Sequence, residues 1–130
     1  MNKEIIDLAN YIFENYDLSN TTSSCHFQLF LSVYALALLN SGEVDKGVDL
    51  FHQVKFKNIS IPENMQYYIK IRYMLIETEF LVHEGKRMKA HKKLEKIKNI
   101  SQMLKFNYFY NKALNIEKSL EQFHLVVQNN

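Results

Sequence analysis

With 130 residues, the chain is long enough to form one domain, over residues 1–130, that buries a hydrophobic core without disulfide bonds or metals. It is 47% hydrophobic, and its 3 Gly and 1 Pro are too few turn formers for a many-stranded sandwich, so we expect an all-α fold. Cys25 is the only cysteine, which excludes a disulfide framework, and no apolar run approaches the ~20 residues of a membrane span. These features predict a cytoplasmic protein that does not enter a membrane.

The net charge of +2 is divided unevenly along the chain. Residues 1–62 hold 4 Lys and Arg against 7 Asp and Glu, whereas residues 63–130 hold 12 against 7. The two halves therefore carry opposite charge, and the second half is suited to an acidic partner.

The first half of the chain predicts three helices. Residues 2–16 carry apolar side chains along one broad face, and a polar segment follows in which Ser23 or Ser24 is a suitable N-cap. Apolar residues at helical spacing then predict a second helix over 25–41 and a third over 43–56. Gly42 separates these two helices and predicts a tight turn between them.

The second half of the chain predicts three further helices. Pro62 marks the start of a helix that extends over about 63–84, and Gly85 ends it. A fifth helix follows, and we expect a break near Asn99 to Ser101 before a last helix over 102–127. The whole chain then consists of about six helices, stacked as antiparallel hairpins in a short α-solenoid.

An internal repeat connects the two hairpins. The pattern around Gly42 recurs 43 residues later around Gly85, so repeat one covers about 25–56 and repeat two about 63–99. Helices 2–16 and 102–127 are then end helices. The matching positions are Leu31, Ala35, Leu38, Gly47, Phe51 and Val54 in repeat one, and Met74, Thr78, Leu81, Ala90, Leu94 and Ile97 in repeat two.

This order of bulky, small and turn residues resembles a tetratricopeptide repeat. Residues 26–126, with the ISIPENM segment between the hairpins, also resemble the repeat domains of peptide-sensing regulators of Gram-positive bacteria and their phages, most of all the arbitrium receptors. The resemblance implies a bacterial or phage regulator that binds a short peptide or a partner protein. The DNA-binding helix-turn-helix of such regulators is not evident here, so we expect a small relative without it.

The repeat register also predicts a binding groove, because solenoid proteins bind ligands on the surface formed by their first helices. Arginine binds carboxylates through two hydrogen bonds, and asparagine can both donate to and accept from a peptide backbone. The predicted peptide- or protein-binding residues are Asn40, Tyr68, Arg72, Glu79, His83, Asn107 and Asn111. The alternative is that the charged members are ordinary surface residues beside a core helix.

A basic segment over residues 86–98 provides a second candidate surface. It holds seven Lys and Arg and one Glu, and Lys89, Lys92, Lys93 and Lys96 are expected on one side of the helix. Such a face could meet phosphates or an acidic protein, which makes a small nucleic-acid-binding regulator the alternative function. The other interpretation is a solvated face that keeps the protein soluble.

We find no pattern that predicts catalysis. The five histidines show no metal-ligand spacing, and the three glycines are isolated, so we expect neither a metal nor another cofactor. Adjacent residues on a helix point about 100° apart, so Cys25 and His26 cannot form a nucleophile–base pair, and a buried free cysteine is expected. The chain is predicted not to be an enzyme. The uncovered ends of such a stack, together with an aromatic last helix, further predict a homodimer through an end helix.

Overall fold

The computed structural model describes residues 1–16, 24–54 and 66–129, and all regular structure within these ranges is helical. The all-α prediction is therefore confirmed. The chain divides into two compact units, Met1–Ile69 and Lys70–Asn130, and each is described by itself. The helices of the described ranges are α1 (Asn2–Asn15), α2 (Cys25–Asn40), α3 (Val44–Gln53), α4 (Gln66–His83), α5 (Arg87–Leu104) and α6 (Asn107–Asn129).

In the first unit, α2 and α3 form the hairpin predicted at Gly42. Ser24 is the N-cap of α2, because its hydroxyl accepts a hydrogen bond from the Phe27 backbone N–H at 3.4 Å. Cys25 is buried at the first position of this helix, as expected. Gly47 of α3 packs directly on the α2 backbone, where a Cβ atom would lie 2.8 Å from the Ala35 carbonyl oxygen. Only glycine allows the two helices to approach this closely.

Helix α1 packs on α2 mainly through aromatic rings. The Phe13 ring centroid lies 6.3 Å from that of Phe30 and 5.9 Å from that of Tyr34. The Tyr34 hydroxyl also donates a hydrogen bond to the Asn10 side-chain oxygen at 3.3 Å. Ala9 is fully buried and marks the inner side of α1.

The second unit is built on a single apolar cluster shared by three helices. Thr78 of α4 and Ala90 of α5, which match Ala35 and Gly47 in the repeat, are both fully buried. Ala90 of α5 lies in the same buried cluster as Ile71 and Leu75 of α4, and α6 packs on α5. The buried members of the cluster are Ile71, Leu75, Ala90, Leu94, Ile97, Phe109, Ala113 and Leu120.

Three turns connect consecutive helices with the same backbone geometry. A residue of positive φ follows each helix within two positions, at Gly42 (97°), Gly85 (77°) and Lys105 (60°). The following N–H reaches back five residues to a carbonyl, which is the Schellman motif that ends helices. These bonds are Glu43 to Leu38 (2.9 Å), Lys86 to Leu81 (2.9 Å) and Phe106 to Ser101 (2.8 Å).

The break predicted near Asn99 to Ser101 is wrong, since α5 continues to Leu104 and turns at Lys105. Asparagine and serine resemble a helix end in the sequence, but Ser101 is fully buried, and Ile100 packs against the apolar cluster. This packing keeps the segment helical. The last helix therefore begins at Asn107 instead of residue 102.

The third helix is also shorter than predicted. It ends at Gln53, and Val54 is already extended, with φ −70° and ψ 126°. The apolar periodicity that suggested a helix to residue 56 continues past the last helical residue. The remainder of that prediction, the helix start at Pro62 and the Ser23 cap lie outside the described residues.

Candidate functional site

Three predicted site residues lie along one side of α4. Arg72 and Glu79 are half-buried and seven residues apart, and His83 follows Glu79 by one helical turn, in an exposed position. Seven residues correspond to two turns of helix, or roughly 10 Å along its axis. The backbone positions of Arg72 and Glu79 are thus held at a fixed spacing. The neighbouring face of the same helix is packed into the core.

Glu79 is the most unusual of these groups, because it is a half-buried carboxylate. Burial raises the pKa of Glu79, and the positive charge of Lys112 on α6 acts in the opposite direction. This electrostatic coupling identifies α6 as the second helix of the site. A desolvated carboxylate is costly unless a cation or hydrogen-bond donor compensates it, and the positive charge of Lys112 offsets part of that cost.

Lys112 also brings an exposed aromatic ring to the site. Its ammonium nitrogen lies 5.3 Å from the ring centroid of Tyr108, one turn earlier on α6, within the range of a cation–π interaction. Tyr108 is 65% exposed, so most of the ring is accessible to a ligand. We name Arg72, Glu79, Tyr108 and Lys112 the α4–α6 surface.

The remaining predicted site residues lie elsewhere. Asn107 and Asn111 are exposed on α6, but Asn111 precedes Lys112 by one residue and therefore points about 100° away from it. Asn40, the last residue of α2, and Tyr68, one turn before Arg72, are counted with the first unit, and both are exposed. The electrostatic effect of Lys112 connects Glu79 to α6, Arg72 shares the side of α4 that carries Glu79, and no such connection is seen for the asparagines among the described residues.

Sequence reasoning missed Lys112. A signal was present, since Lys112 follows Tyr108 by four residues and shares its side of the helix. The sequence did not reveal that α6 turns this side toward Glu79. That information depends on how α4 and α6 pack around the shared cluster.

The predicted basic face of α5 is smaller than the sequence suggested. Lys89, Lys92 and Lys96 are exposed, but the Lys93 ammonium lies 2.7 Å from the Glu77 carboxylate of α4. Lys93 is therefore directed toward α4 and its charge is balanced there. We name Lys89, Lys92 and Lys96 the α5 lysine face.

Other basic side chains of the same segment hold the second unit together. Lys98 lies 2.8 Å from Glu117 on α6 and 2.9 Å from Glu95, and these carboxylates raise the pKa of Lys98. Arg87 donates a hydrogen bond to the Leu120 carbonyl at 2.8 Å. Much of the positive charge over residues 86–98 therefore joins α5 to its neighbours.

A buried tyrosine near the Lys93–Glu77 pair has a structural explanation. Burial, assisted by the negative charge of Glu77, raises the pKa of Tyr73 to about 12. The tyrosine is thus neutral at physiological pH, and its hydroxyl is a weaker acid than in water. These properties do not suit a general base, and we assign Tyr73 to packing.

Three further observations concern metal ligands, membrane-spanning helices and similarity to known proteins. Within residues 1–16, 24–54 and 66–129, no group of three His, Cys, Asp or Glu side chains is arranged to hold a metal ion. None of the helices in these ranges is both long and apolar enough to cross a membrane. Comparison with protein-family models, curated proteins and solved structures finds no match for this chain.

Proposed function

We propose that the protein is a non-enzymatic adaptor or regulator that binds a short peptide, or an extended segment of a partner protein, on the α4–α6 surface. The observation that carries this proposal is the half-buried Glu79 carboxylate, coupled to Lys112 and held two turns from Arg72. A desolvated charge forms stronger interactions with an incoming group than an exposed one does.

The order of charges on this surface suits a peptide in extended conformation. Arg72 is able to bind a carboxylate through two parallel hydrogen bonds, and Glu79 to accept from an amino group or a backbone amide. Their separation of roughly 10 Å equals the length of about three extended residues. Tyr108 adds an exposed ring for an apolar side chain. The preferred ligand is therefore a short peptide with a free carboxyl terminus and a cationic or amide group about three residues earlier.

The sequence pattern supports the same class of ligand. The repeat register is tetratricopeptide-like, and in such repeats the first helix of each hairpin contributes to the binding surface. The resemblance to the peptide-sensing regulators of bacteria and phages favours a peptide signal over a folded partner. We also propose that the protein is cytoplasmic and that it comes from a phage or another mobile element.

The experiment begins with a library of random hexapeptides with free carboxyl termini, selected on the immobilised full-length chain. Selected peptides are labelled, and their affinities are measured by fluorescence anisotropy. Arg72→Ala and Glu79→Gln should each weaken binding by about 10- to 100-fold, because hydrogen bonds to charged groups contribute about 1.5–3 kcal/mol. Amidation of the peptide carboxyl group should weaken binding to the wild type and have little effect on the Arg72→Ala variant.

Matched substitutions outside the surface provide the controls. Lys70→Ala removes an exposed cation from the same helix as Arg72, and Glu121→Gln neutralises an exposed carboxylate on α6. Both should bind the peptide as the wild type does. Selection of no peptide, or equal losses in the site and control variants, would contradict the proposal.

A further inference from the structure

Two exposed helix surfaces of this chain have complementary character, and neither belongs to the α4–α6 surface. The first is the outer side of α1, opposite the buried Ala9. Asp7 and Glu14 are exposed there, and Tyr11, which is 56% exposed, lies between them on the same side. We name these three residues the α1 acidic face.

The second surface is the outer side of α5, opposite the buried Ala90 and Leu94. It consists of the α5 lysine face together with Met88 and Met103, which are 77% and 76% exposed. Long flexible methionine side chains adapt readily to an irregular apolar partner. This surface therefore combines positive charge with apolar area, as the α1 acidic face combines negative charge with apolar area.

The spacing of the charges also agrees between the two faces. Asp7 and Glu14 are seven residues apart on α1, and Lys89 and Lys96 are seven residues apart on α5. Both pairs span two helical turns, or roughly 10 Å. Two helices packed side by side can therefore bring both carboxylates opposite lysines in the same register.

We propose that the α1 acidic face of one copy docks on the α5 lysine face of a second copy of this chain. The uneven division of charge between residues 1–62 and 63–130 favours the same occupant, because the acidic half of one molecule then faces the basic half of another. The contact gives a specific location to the predicted self-association through an end helix. Arg72, Glu79 and Lys112 lie outside this contact.

The strength of the association follows from the size and the polarity of the contact. A pair of short helices covers less than the roughly 800 Å² per partner of a standard interface, so micromolar affinity is expected. Exposed charges are screened over about 10 Å at 0.1 M salt and about 3 Å at 1 M. Raising the salt concentration from 0.05 M to 1 M should therefore weaken the association by tenfold or more.

Charge-reversal variants of the full chain, studied by sedimentation velocity at 0.05 M salt, test this proposal. The first variant is Lys89→Glu/Lys92→Glu/Lys96→Glu, and the second is Asp7→Lys/Glu14→Lys. Each alone should remain monomeric at concentrations where the wild type associates, because its two faces then carry like charge. An equimolar mixture of the two should associate, since each variant complements the other. A misfolded variant would not be rescued in this way.

The control is Lys46→Glu/Lys70→Glu/Lys118→Glu, which changes the net charge equally at three exposed lysines outside both faces. It should associate as the wild type does. A monomeric wild type at 0.1 mM, loss of association in the control, or a mixture that stays monomeric would overturn the proposal. Binding of a DNA duplex by a monomeric wild type, lost in the first variant, would also overturn it and assign the lysine face to nucleic acid.

Discussion

The α2–α3 and α4–α5 hairpins share a turn and a repeat register, but they differ in the residue at the contact between their helices. In both, a residue of positive φ ends the first helix, and the position five residues later is buried against that helix. Gly47 occupies this position in the first hairpin and Ala90 in the second. A Cβ at Gly47 would meet backbone atoms at 2.8 and 2.9 Å. The register thus places a small residue at this contact in both hairpins, and in the first hairpin the contact has no room for a Cβ.

The helices that cover the two hairpins differ as well. Helix α1 covers α2 with aromatic rings and with the hydrogen bond of 3.3 Å from Tyr34 to Asn10. Helix α6 covers α5 with apolar side chains, the Lys98–Glu117 ion pair and the Arg87 hydrogen bond. Glu79, the half-buried carboxylate of the candidate site, lies in this second, more polar unit. The two hairpins are similar, but the polar and charged groups beside them differ because different helices cover them.

The largest expected effect is on the core of the second unit. Leu94→Ala removes a fully buried side chain, and such substitutions cost about 2–5 kcal/mol of unfolding free energy. Phe51, its repeat equivalent in the first unit, is half-buried, so Phe51→Ala should cost less. Urea unfolding measured by circular dichroism compares the two. A larger loss for Phe51→Ala would show that the first hairpin has the tighter core.

The next prediction concerns the close approach at Gly47. In an exposed helix, Gly→Ala stabilises by about 1 kcal/mol, but Gly47→Ala should destabilise by about 1–3 kcal/mol because the new methyl group collides with the α2 backbone. The reverse change at the equivalent position, Ala90→Gly, should also destabilise, since it removes a buried methyl group and adds backbone freedom. Thermal unfolding of both variants checks the signs. Stabilisation by Gly47→Ala would contradict the close contact.

Substitutions in two of the three turns should change the stability of the chain in opposite directions. Gly85→Ala should cost about 1 kcal/mol, because a residue with a Cβ is strained at φ 77°. Lys105 already has that strain at φ 60°, so Lys105→Gly should stabilise the chain by about 0.5–1 kcal/mol. Equilibrium unfolding of the two variants provides the measurement. Loss of stability in Lys105→Gly would mean that the lysine side chain contributes more than its backbone strain costs.

The smallest expected effect is on the pH dependence of stability. The pKa of Glu79 is raised in the folded state, so the folded chain binds more protons than the unfolded chain between the two pKa values, and stability falls as the pH rises through them. Glu79→Gln should remove this contribution. Urea unfolding from pH 4 to pH 7 should show that Glu79→Gln gains stability relative to the wild type as the pH increases. Glu121→Gln, at an exposed position, is the control and should show no such trend.

The sequence could predict those parts of the fold where a residue type has one strong conformational or capping preference. Gly42 and Gly85 identified two turns because glycine adopts positive φ without strain, and the pair Ser23 and Ser24, of which Ser24 is the cap, marked the start of α2. Lys105 gave no such signal, because lysine rarely has this conformation and is common on helix surfaces. The end of α5 was therefore placed too early. Helix existence was predictable from local periodicity, but this helix end was set by burial of Ser101.

The candidate site shows the same limit. The charges and spacing of Arg72 and Glu79 were legible in the sequence, because both lie on one helix. The contribution of Lys112 was not, because it depends on the packing of α6 beside α4. The same holds for the α5 lysine face, from which Lys93 was removed by an ion pair with Glu77 on another helix.

The most direct test of the account is to map a selected peptide on the protein by NMR. Amide and side-chain signals of the labelled full-length chain are followed during titration with a hexapeptide from the library. If the peptide binds on the α4–α6 surface, the largest chemical-shift changes occur at Arg72, Glu79, Tyr108 and Lys112. The signals of Lys92 and Lys96 do not change. Changes centred on the α5 lysine face or on α1, with Glu79 and Lys112 unaffected, would contradict the assignment of the binding site to α4 and α6.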